Sequence, residues 1–148
     1  MIIANYLPRH GPELVAMWRE SFELAVGVID CHPLDEQLRY LEEKVVPENE
    51  VLVVLDEGTG AVIGFMASTH ETISQLYVHV NYQRRGIGSL LVNIAKEHSG
   101  GLLRLFVFQA NQHAQQFYEQ HGFKVKSKGF VEEWQLADIG YEWSAGES

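Results

Sequence analysis

The sequence is poor in cysteine and in basic residues. Its only cysteine, Cys31, excludes an internal disulfide, which favours a reducing and therefore cytoplasmic location. Lysine and arginine number 11 against 20 aspartates and glutamates, and the formal net charge is −9 at pH 7. Nucleic-acid-binding proteins need a concentrated basic surface, so this charge argues against that class of partner. It is compatible with a cationic small substrate.

The sequence also has no long apolar run. A membrane helix needs roughly 18 consecutive apolar residues, and no segment approaches that length. The N-terminal segment MIIANYLPRHG lacks a basic region followed by a long apolar one. We therefore expect neither membrane association nor a signal peptide.

Histidine and cysteine do not recur at the spacings of metal sites. Cys31 and His32 are adjacent, but no second cysteine and no H-x-x-x-H pattern accompanies them. We therefore expect no metal and interpret residues 26–33 as an ordinary loop. The 148 residues are the size of one domain, and a hydrophobic content of 46% is enough for one sizeable core. We expect a single domain over residues 1–148.

Apolar spacing predicts seven strands and four helices. The predicted strands are residues 1–7, 51–55, 61–68, 73–80, 102–108, 124–130 and 138–143. The predicted helices are residues 12–25, 34–45, 87–97 and 112–121. The strand, helix and strand of residues 73–108 require a parallel crossover, whereas the other connections allow hairpins. We therefore expect an α/β (α+β) fold with a mixed, mostly antiparallel sheet of about seven strands and helices on both faces.

The stretch from residue 73 to 97 suggests a binding site. A predicted strand is followed by a tight turn at residues 81–85, and a helix begins directly after Gly86. Glycine at positions 86 and 88 lets the backbone turn sharply and lets a ligand come close. The first N–H groups of a helix lack intrahelical partners and lie at its positive end. This arrangement suits a phosphate, and Arg84 and Arg85 add positive charge locally.

Two motifs resemble those of the GNAT superfamily of N-acyltransferases. Residues 83–88 read QRRGIG and fit Q/R-x-x-G-x-G/A, while residues 111–123 fit N-x-x-A-x-x-F-Y-x-x-x-G-F. Their order along the chain is that of the family. The resemblance implies a GNAT-like fold in which the strands at 73–80 and 102–108 splay apart. It also implies that the pantetheine arm of acetyl-CoA, a cosubstrate, enters between these strands.

The resemblance also implies roles for individual residues. Leu76 and Val78 would present backbone groups to the acyl-pantetheine arm, and Asn111 would bind that arm. Tyr118 would be the general acid, because a neutral tyrosine with a pKa near 10 can donate a proton to the departing thiolate of CoA. The pyrophosphate would be held by the turn and the first helical turn, formed by Gln83, Arg84, Arg85, Gly86, Ile87, Gly88 and Ser89.

The sequence leaves the general base and the acceptor open. An amine must lose a proton before it attacks, and a water relay is as plausible as a side chain. The candidate side chains are those of Glu23, Asp30, His32, Glu71, His79 and Glu133. We expect direct acetyl transfer to a primary amine of a small molecule or peptide in a ternary complex, with a ping-pong route through Cys31 as a minor variant. The alternative is a non-catalytic acyl-CoA-binding regulatory module. Exposed sheet edges make a homodimer possible.

Overall fold

The computed structural model describes residues 1–146, and within them seven strands form two antiparallel sheets. The strands are β1 (Ile2–Asn5), β2 (Glu50–Leu55), β3 (Val62–Ser68), β4 (Ile73–Val78), β5 (Leu102–Phe108), β6 (Lys124–Val131) and β7 (Leu136–Ser144). The first sheet has the order β1-β2-β3-β4 and the second β5-β7-β6. The predicted fold class is confirmed, and the chain forms the expected layers of helix and sheet.

The helices lie close to their predicted positions. They are α1 (Gly11–Val26), α2 (Leu34–Tyr40), α3 (Val46–Glu48), α4 (Ile87–His98) and α5 (Gln112–Gln120). The predicted helix at 34–45 is present over its whole length, but its second half, Leu41–Val45, is a π-helical turn that joins α2 to α3. That turn keeps both Leu41 and Val45 buried against the core. Across residues 1–146, no helix combines the length and apolar character needed to cross a bilayer.

The strand predicted at 73–80 is two residues too long. β4 ends at Val78, and a 3-10 turn, Val80–Tyr82, follows. The His79 N–H donates to the carbonyl of Ile63, and the His79 Nδ1 accepts from the N–H of Asn81 at 3.1 Å. Ile63 is the extra residue of a bulge, since the pairing of β2 with β3 passes from Gly64 directly to Val62. The bulge and the imidazole cap together end the strand.

The two sheets meet at one point and then diverge. Thr72 and Arg104 form a single parallel bridge, and the N–H of Arg104 donates to the carbonyl of Glu71 at 2.9 Å. Beyond this point, among residues 1–146, β4 pairs only with β3 and β5 pairs only with β7. The backbone therefore opens between β4 and β5 toward their C-terminal ends. This is the splay that the family resemblance implied.

Helices cover both faces of the first sheet. One hydrophobic cluster joins α1, through Leu14 and Trp18, to Phe65 of β3. The other joins α4, through Leu91, to Met66 of β3 and to the inner face of the second sheet. All seven residues of β3 are buried, as expected for a strand covered on both faces. β3 therefore links the two cores and supports the opening beside β4.

Candidate active site

A cavity of about 750 Å³ lies at the opening between β4 and β5. Leu76 and Val78 line it from the face that packs on α4, whereas Tyr77 lines it and packs with the cluster under α1. Successive side chains of a strand point to opposite faces. The cavity therefore reaches both faces of the molecule. Its size is that of an ordinary ligand site.

The glycine turn, which comprises residues 81–88, forms one end of the cavity. Gly86 is the N-cap of α4 and has a φ of 83°, a left-handed conformation that glycine adopts without strain. Gly88 lies against Phe117, since a Cβ atom at this position would be only 3.1 Å from the Phe117 ring. Ile87, Gly88 and Ser89 form the first turn of α4, where backbone N–H groups are not used by the helix. This turn therefore presents N–H donors to the cavity.

The two arginines of the turn have different surroundings. Arg84 lines the cavity and has a φ of 64°, which is uncommon for a residue other than glycine. The guanidinium of Arg85 instead lies over the Tyr82 ring, 5.1 Å from its centroid. The Tyr82 hydroxyl donates to the Asp56 carboxylate at 3.0 Å. The structure therefore brings Arg84, but not Arg85, to the cavity wall.

Gln83 and Asn111 make contacts that the sequence did not predict in detail. The side-chain amide of Gln83 donates to the carbonyl of Val78 at 3.0 Å and ties the turn to the end of β4. Asn111 caps α5, because its side-chain oxygen accepts the N–H of Ala114 at 3.1 Å. Both residues line the cavity. Asn111 therefore has a structural role beside any contact with a ligand.

Tyr118 lines the cavity from α5 and is 8% exposed. Burial and the neighbouring Tyr77 both raise its pKa above the usual value, so the hydroxyl stays protonated throughout the neutral range. Burial also raises the pKa of Tyr77 to about 12. The ring of Tyr118 packs edge-on against Phe123, with a centroid distance of 5.5 Å. The site thus holds two neutral phenol groups.

The candidate bases contact other residues. The Glu23 carboxylate accepts the N–H of Asp30 at 2.6 Å. Asp30 in turn accepts from His32 Nδ1 at 2.6 Å, and this contact raises the pKa of His32. Glu133 lies 3.9 Å from His32 Nε2. Within residues 1–146 the cavity lining includes none of these side chains, and it also lacks His79, Glu71 and the exposed Cys31.

Three features of the site were missed by sequence reasoning. Tyr77 lies between two predicted contact residues, and its strand position gave no sign of its role. The C-terminal half of α1 supplies Ser21, Leu24 and Ala25 to the far side of the cavity. His121 lies 3.0 Å from Ser89. In each case the contact joins residues far apart in sequence, which spacing within one element does not reveal.

The comparisons with known proteins agree with this geometry. Residues 47–125 match the family model of the acetyltransferase (GNAT) domain. That range contains the splayed strand β4, the glycine turn, α4, β5 and α5. The chain belongs to the GNAT acetyltransferase family. The matched range thus encloses the glycine turn and Tyr118, which both line the cavity.

Relatives of this GNAT chain cover nearly its full length. It is 30% identical over 135 residues to the peptidyl-lysine N-acetyltransferase YjaB of Salmonella typhimurium, covering 90% of this chain and 91% of that protein. The solution structure of apo-form YjaB from Escherichia coli superposes with a TM-score of 0.78 at 23% identity, covering 99% and 100% of the two chains. The PaiA N-acetyltransferase of Thermoplasma acidophilum, solved with coenzyme A, gives 0.73 at 21% identity over 97% and 98%.

Proposed function

We propose that this protein is an N-acetyltransferase that transfers an acetyl group from acetyl-CoA to a primary amine of a peptide or small molecule. The observation that carries this proposal is the cavity that joins the N–H groups of Gly86–Ser89 to Tyr118 through the opening between β4 and β5. The relative YjaB is a peptidyl-lysine N-acetyltransferase, and PaiA was solved with coenzyme A. Both support the choice of substrates.

The residues of the cavity fit an acyl-CoA. The pyrophosphate would bind the first turn of α4, where each N–H bond to a charged oxygen contributes about 1.5–3 kcal/mol. The side chain of Arg84 would add a charge-assisted contact. The pantetheine arm would pass along Leu76 and Val78 in the opening between the sheets, with Asn111 across the cavity. The thioester would then lie beside Tyr118.

The two faces of the cavity suggest a ternary complex. Acetyl-CoA would enter from the side of α4 and α5, while the amine would enter from the side of α1, past Ser21 and Ala25. The amine nitrogen attacks the thioester carbonyl, a C–N bond forms, and the C–S bond breaks. The Tyr118 hydroxyl, which its raised pKa keeps protonated, donates a hydrogen bond to the departing thiolate. The proton that the amine has lost to water can return through solvent to the sulfur, so that no tyrosinate is left in the site.

The proton of the attacking ammonium has to leave before the C–N bond forms. A lysine-like amine has a pKa near 10.4 and is almost wholly protonated at pH 7. Glu23 and Asp30 are already hydrogen-bonded to the loop after α1, and His79 Nδ1 accepts the N–H of Asn81. We therefore propose that water carries this proton away from the site.

The acceptor would be recognised where two loops meet. Trp134, in the loop after β6, packs on Phe22 of α1 with a centroid distance of 5.0 Å, and His32 lies edge-on to the same indole at 5.8 Å. Asp30, Glu133 and neighbouring acids surround His32, and this charge would attract a cationic peptide. Because an amine is cationic at neutral pH, these acidic groups support a peptide or a small amine as the acceptor.

Binding of the donor can be tested by calorimetry with coenzyme A. We expect Gly86→Glu to abolish binding, because the new carboxylate would lie beside the pyrophosphate. Gly60→Glu is the matched control: Gly60 also has a positive φ of 72° and open space around it, but it lies in the β2–β3 loop. If the parent protein releases no heat with coenzyme A, or if the two variants bind equally well, the proposal is wrong.

Catalysis can be tested by thiol release from acetyl-CoA in the presence of an amine panel. The panel contains lysine peptides with a blocked α-amine, lysine-free peptides with a free α-amine, and small polyamines. We expect release above background with at least one class, and mass spectrometry of the product identifies the acetylated nitrogen. Tight coenzyme A binding without release for any amine would favour the non-catalytic acyl-CoA-binding module instead.

A further inference from the structure

Ser89 and His121 connect two elements of the site. Ser89 is in the first turn of α4 and lines the cavity, and its Oγ lies 3.0 Å from Nε2 of His121. His121 is the C-cap residue of α5, thirty-two positions away. The contact therefore joins the glycine turn to the C-terminal end of the helix that carries Tyr118.

The imidazole of His121 is held in place by its neighbours. Lys96 of α4 donates to the His121 carbonyl oxygen at 2.6 Å. The ring packs against Phe117, with a centroid distance of 4.6 Å, and the same Phe117 ring contacts Gly88. The fold thus holds Nε2 against Ser89 before any ligand is bound.

The hydrogen-bonding capacity of serine decides what this contact can do. A hydroxyl has one hydrogen to donate and two lone pairs that accept, whereas a phosphodiester oxygen only accepts. If His121 Nε2 accepted the Ser89 hydrogen, the hydroxyl would turn its lone pairs toward a bound phosphate and repel it. If Nε2–H donates to Ser89 Oγ, the hydroxyl hydrogen is free for the phosphate. Only the second arrangement favours an anion.

We propose that His121 is a positioning residue for the donor: its Nε2–H donates to Ser89 Oγ and directs the Ser89 hydroxyl hydrogen to the pyrophosphate. This inference rests on the proposed use of acetyl-CoA. Burial lowers the pKa of His121, and the nearby Lys96 ammonium lowers it further. The ring is therefore neutral at pH 7, and the choice between its two tautomers sets the direction of the contact.

A double-mutant cycle tests this chain of contacts. Dissociation constants are measured for coenzyme A and for pantetheine, which lacks the pyrophosphate, in the parent protein and in Ser89→Ala, His121→Phe and the double variant. Phenylalanine keeps a ring against Phe117 but has no N–H. We expect each single variant to weaken coenzyme A binding by about three- to tenfold, the range that one net hydrogen bond supplies. Pantetheine binding should not change.

The cycle also separates positioning from general structural damage. Because His121 acts only through Ser89, His121→Phe should have no further effect in the Ser89→Ala background. His98→Phe is the control for the substitution itself, since His98 is exposed at the end of α4. An equal loss of pantetheine binding, or additive losses in the double variant, would overturn the proposal.

The tautomer can be observed in the parent protein, which keeps the test decisive if a variant fails to fold. We expect the nitrogen chemical shifts of the His121 ring to show hydrogen on Nε2 when coenzyme A is bound. Hydrogen on Nδ1 in that complex would contradict the inference. If the parent protein binds no coenzyme A, the proposed function itself fails. If the parent binds it but the variants bind equally well, the His121 role alone is wrong.

Discussion

At the scale of single residues, Tyr118 has the position and the protonation state needed to stabilise the leaving sulfur. It lines the cavity beside the proposed thioester position, and its raised pKa keeps the hydroxyl protonated. The thiolate of coenzyme A, with a pKa near 8.5 for an ordinary thiol, is a weaker base than tyrosinate in water, so complete proton transfer from Tyr118 is uphill. Tyr118 would therefore act chiefly by donating a hydrogen bond that stabilises the thiolate as sulfur leaves.

We expect Tyr118→Phe to lower turnover by about 10²–10⁴-fold, the usual contribution of a general acid. The affinity for acetyl-CoA should stay within about twofold, because the hydroxyl assists only as charge develops on sulfur. Steady-state kinetics and calorimetry measure the two quantities. Tyr40→Phe, at an exposed tyrosine of α2, is the control and should be active. Near-normal turnover in Tyr118→Phe would remove this residue from the mechanism.

The two adjacent arginines provide a second comparison at this scale. Arg84 lines the cavity, while Arg85 lies over Tyr82. We expect Arg84→Ala to weaken coenzyme A binding by about tenfold, which corresponds to the loss of one hydrogen bond to a charged group. Arg85→Ala should change binding by about twofold or less. Calorimetry at low and moderate salt measures both, and equal losses in the two variants would contradict the assignment.

At the scale of elements, α5 carries the proposed catalytic residue Tyr118 and is capped at both ends. Its start is capped by Asn111. Its end has the hydrogen bonds of a Schellman motif, from Phe123 N–H to the Tyr118 carbonyl at 3.0 Å and from Gly122 N–H to the Glu119 carbonyl at 3.1 Å. Gly122 has the required positive φ of 87°. Asparagine and glycine are the residue types that most often occupy these two positions.

The capping of α5 allows the two roles of Asn111 to be separated. Asn111→Asp keeps an oxygen that caps the helix, so the free energy of unfolding should stay within about 0.5 kcal/mol of the parent. It removes the amide N–H₂ that would donate to the pantetheine arm, so coenzyme A should bind less tightly. Asn111→Ala should lose about 1 kcal/mol of stability as well. Urea unfolding and calorimetry distinguish these outcomes, and unchanged affinity in Asn111→Asp would show that the residue is only a cap.

At the scale of the whole molecule, the two cores share one strand. Phe65 of β3 packs into the cluster under α1, and Met66 packs into the cluster under α4. If β3 left one cluster, its residues would also leave the other cluster, and apolar surface would become exposed on both sides. We therefore propose that the chain is one domain, as its length suggested.

This arrangement predicts a single unfolding transition. Two variants that each keep one tryptophan, Trp18 in the first cluster or Trp143 beside the second, report on the two sides of the molecule. We expect the two urea midpoints, followed by fluorescence, to coincide within error. The remaining tryptophans are replaced by phenylalanine in each variant. Separate midpoints would show two independently folding units.

The stability of the whole molecule should also depend on pH through His10. Its ring is buried, its Nδ1 accepts the N–H of Leu7 at 2.9 Å, and burial, with the neighbouring Arg9, lowers its pKa. The unfolded chain therefore binds a proton at a higher pH than the folded one. Stability is retained above the unfolded value of about 6.5 and falls as the pH drops below it.

We expect urea unfolding to show a lower free energy of unfolding at pH 5.5 than at pH 7.5. In His10→Asn the side-chain oxygen replaces Nδ1 as acceptor without titrating, so the slope below pH 6.5 should be smaller by up to about 1.4 kcal/mol per pH unit. His121, whose pKa is also lowered, contributes in the same direction, whereas His32 contributes in the opposite one. An unchanged slope in His10→Asn would exclude His10 as a source.

The sequence alone determined the features that depend on neighbours along the chain. The glycine turn at residues 81–88, the Asn111 cap and the Gly122 stop are local, because each is set by backbone sterics or by hydrogen bonds within a few residues. The spacing of apolar residues predicted helices and strands near their observed bounds. The two motifs at residues 83–88 and 111–123 together indicated the family. The ends were less accurate where tertiary contacts decide them, as at His79 and at the π-helical turn.

Only the tertiary structure decided which of these local features meet. Arg84 and Arg85 are equivalent in sequence, but the fold brings the first to the cavity and stacks the second on Tyr82. The contact of His121 with Ser89 depends on how α4 and α5 pack. The hydrogen bond that the Glu23 carboxylate accepts from the Asp30 N–H depends on the path of the loop after α1. Periodicity describes one element at a time, whereas distances between elements are set by the packing of the whole core.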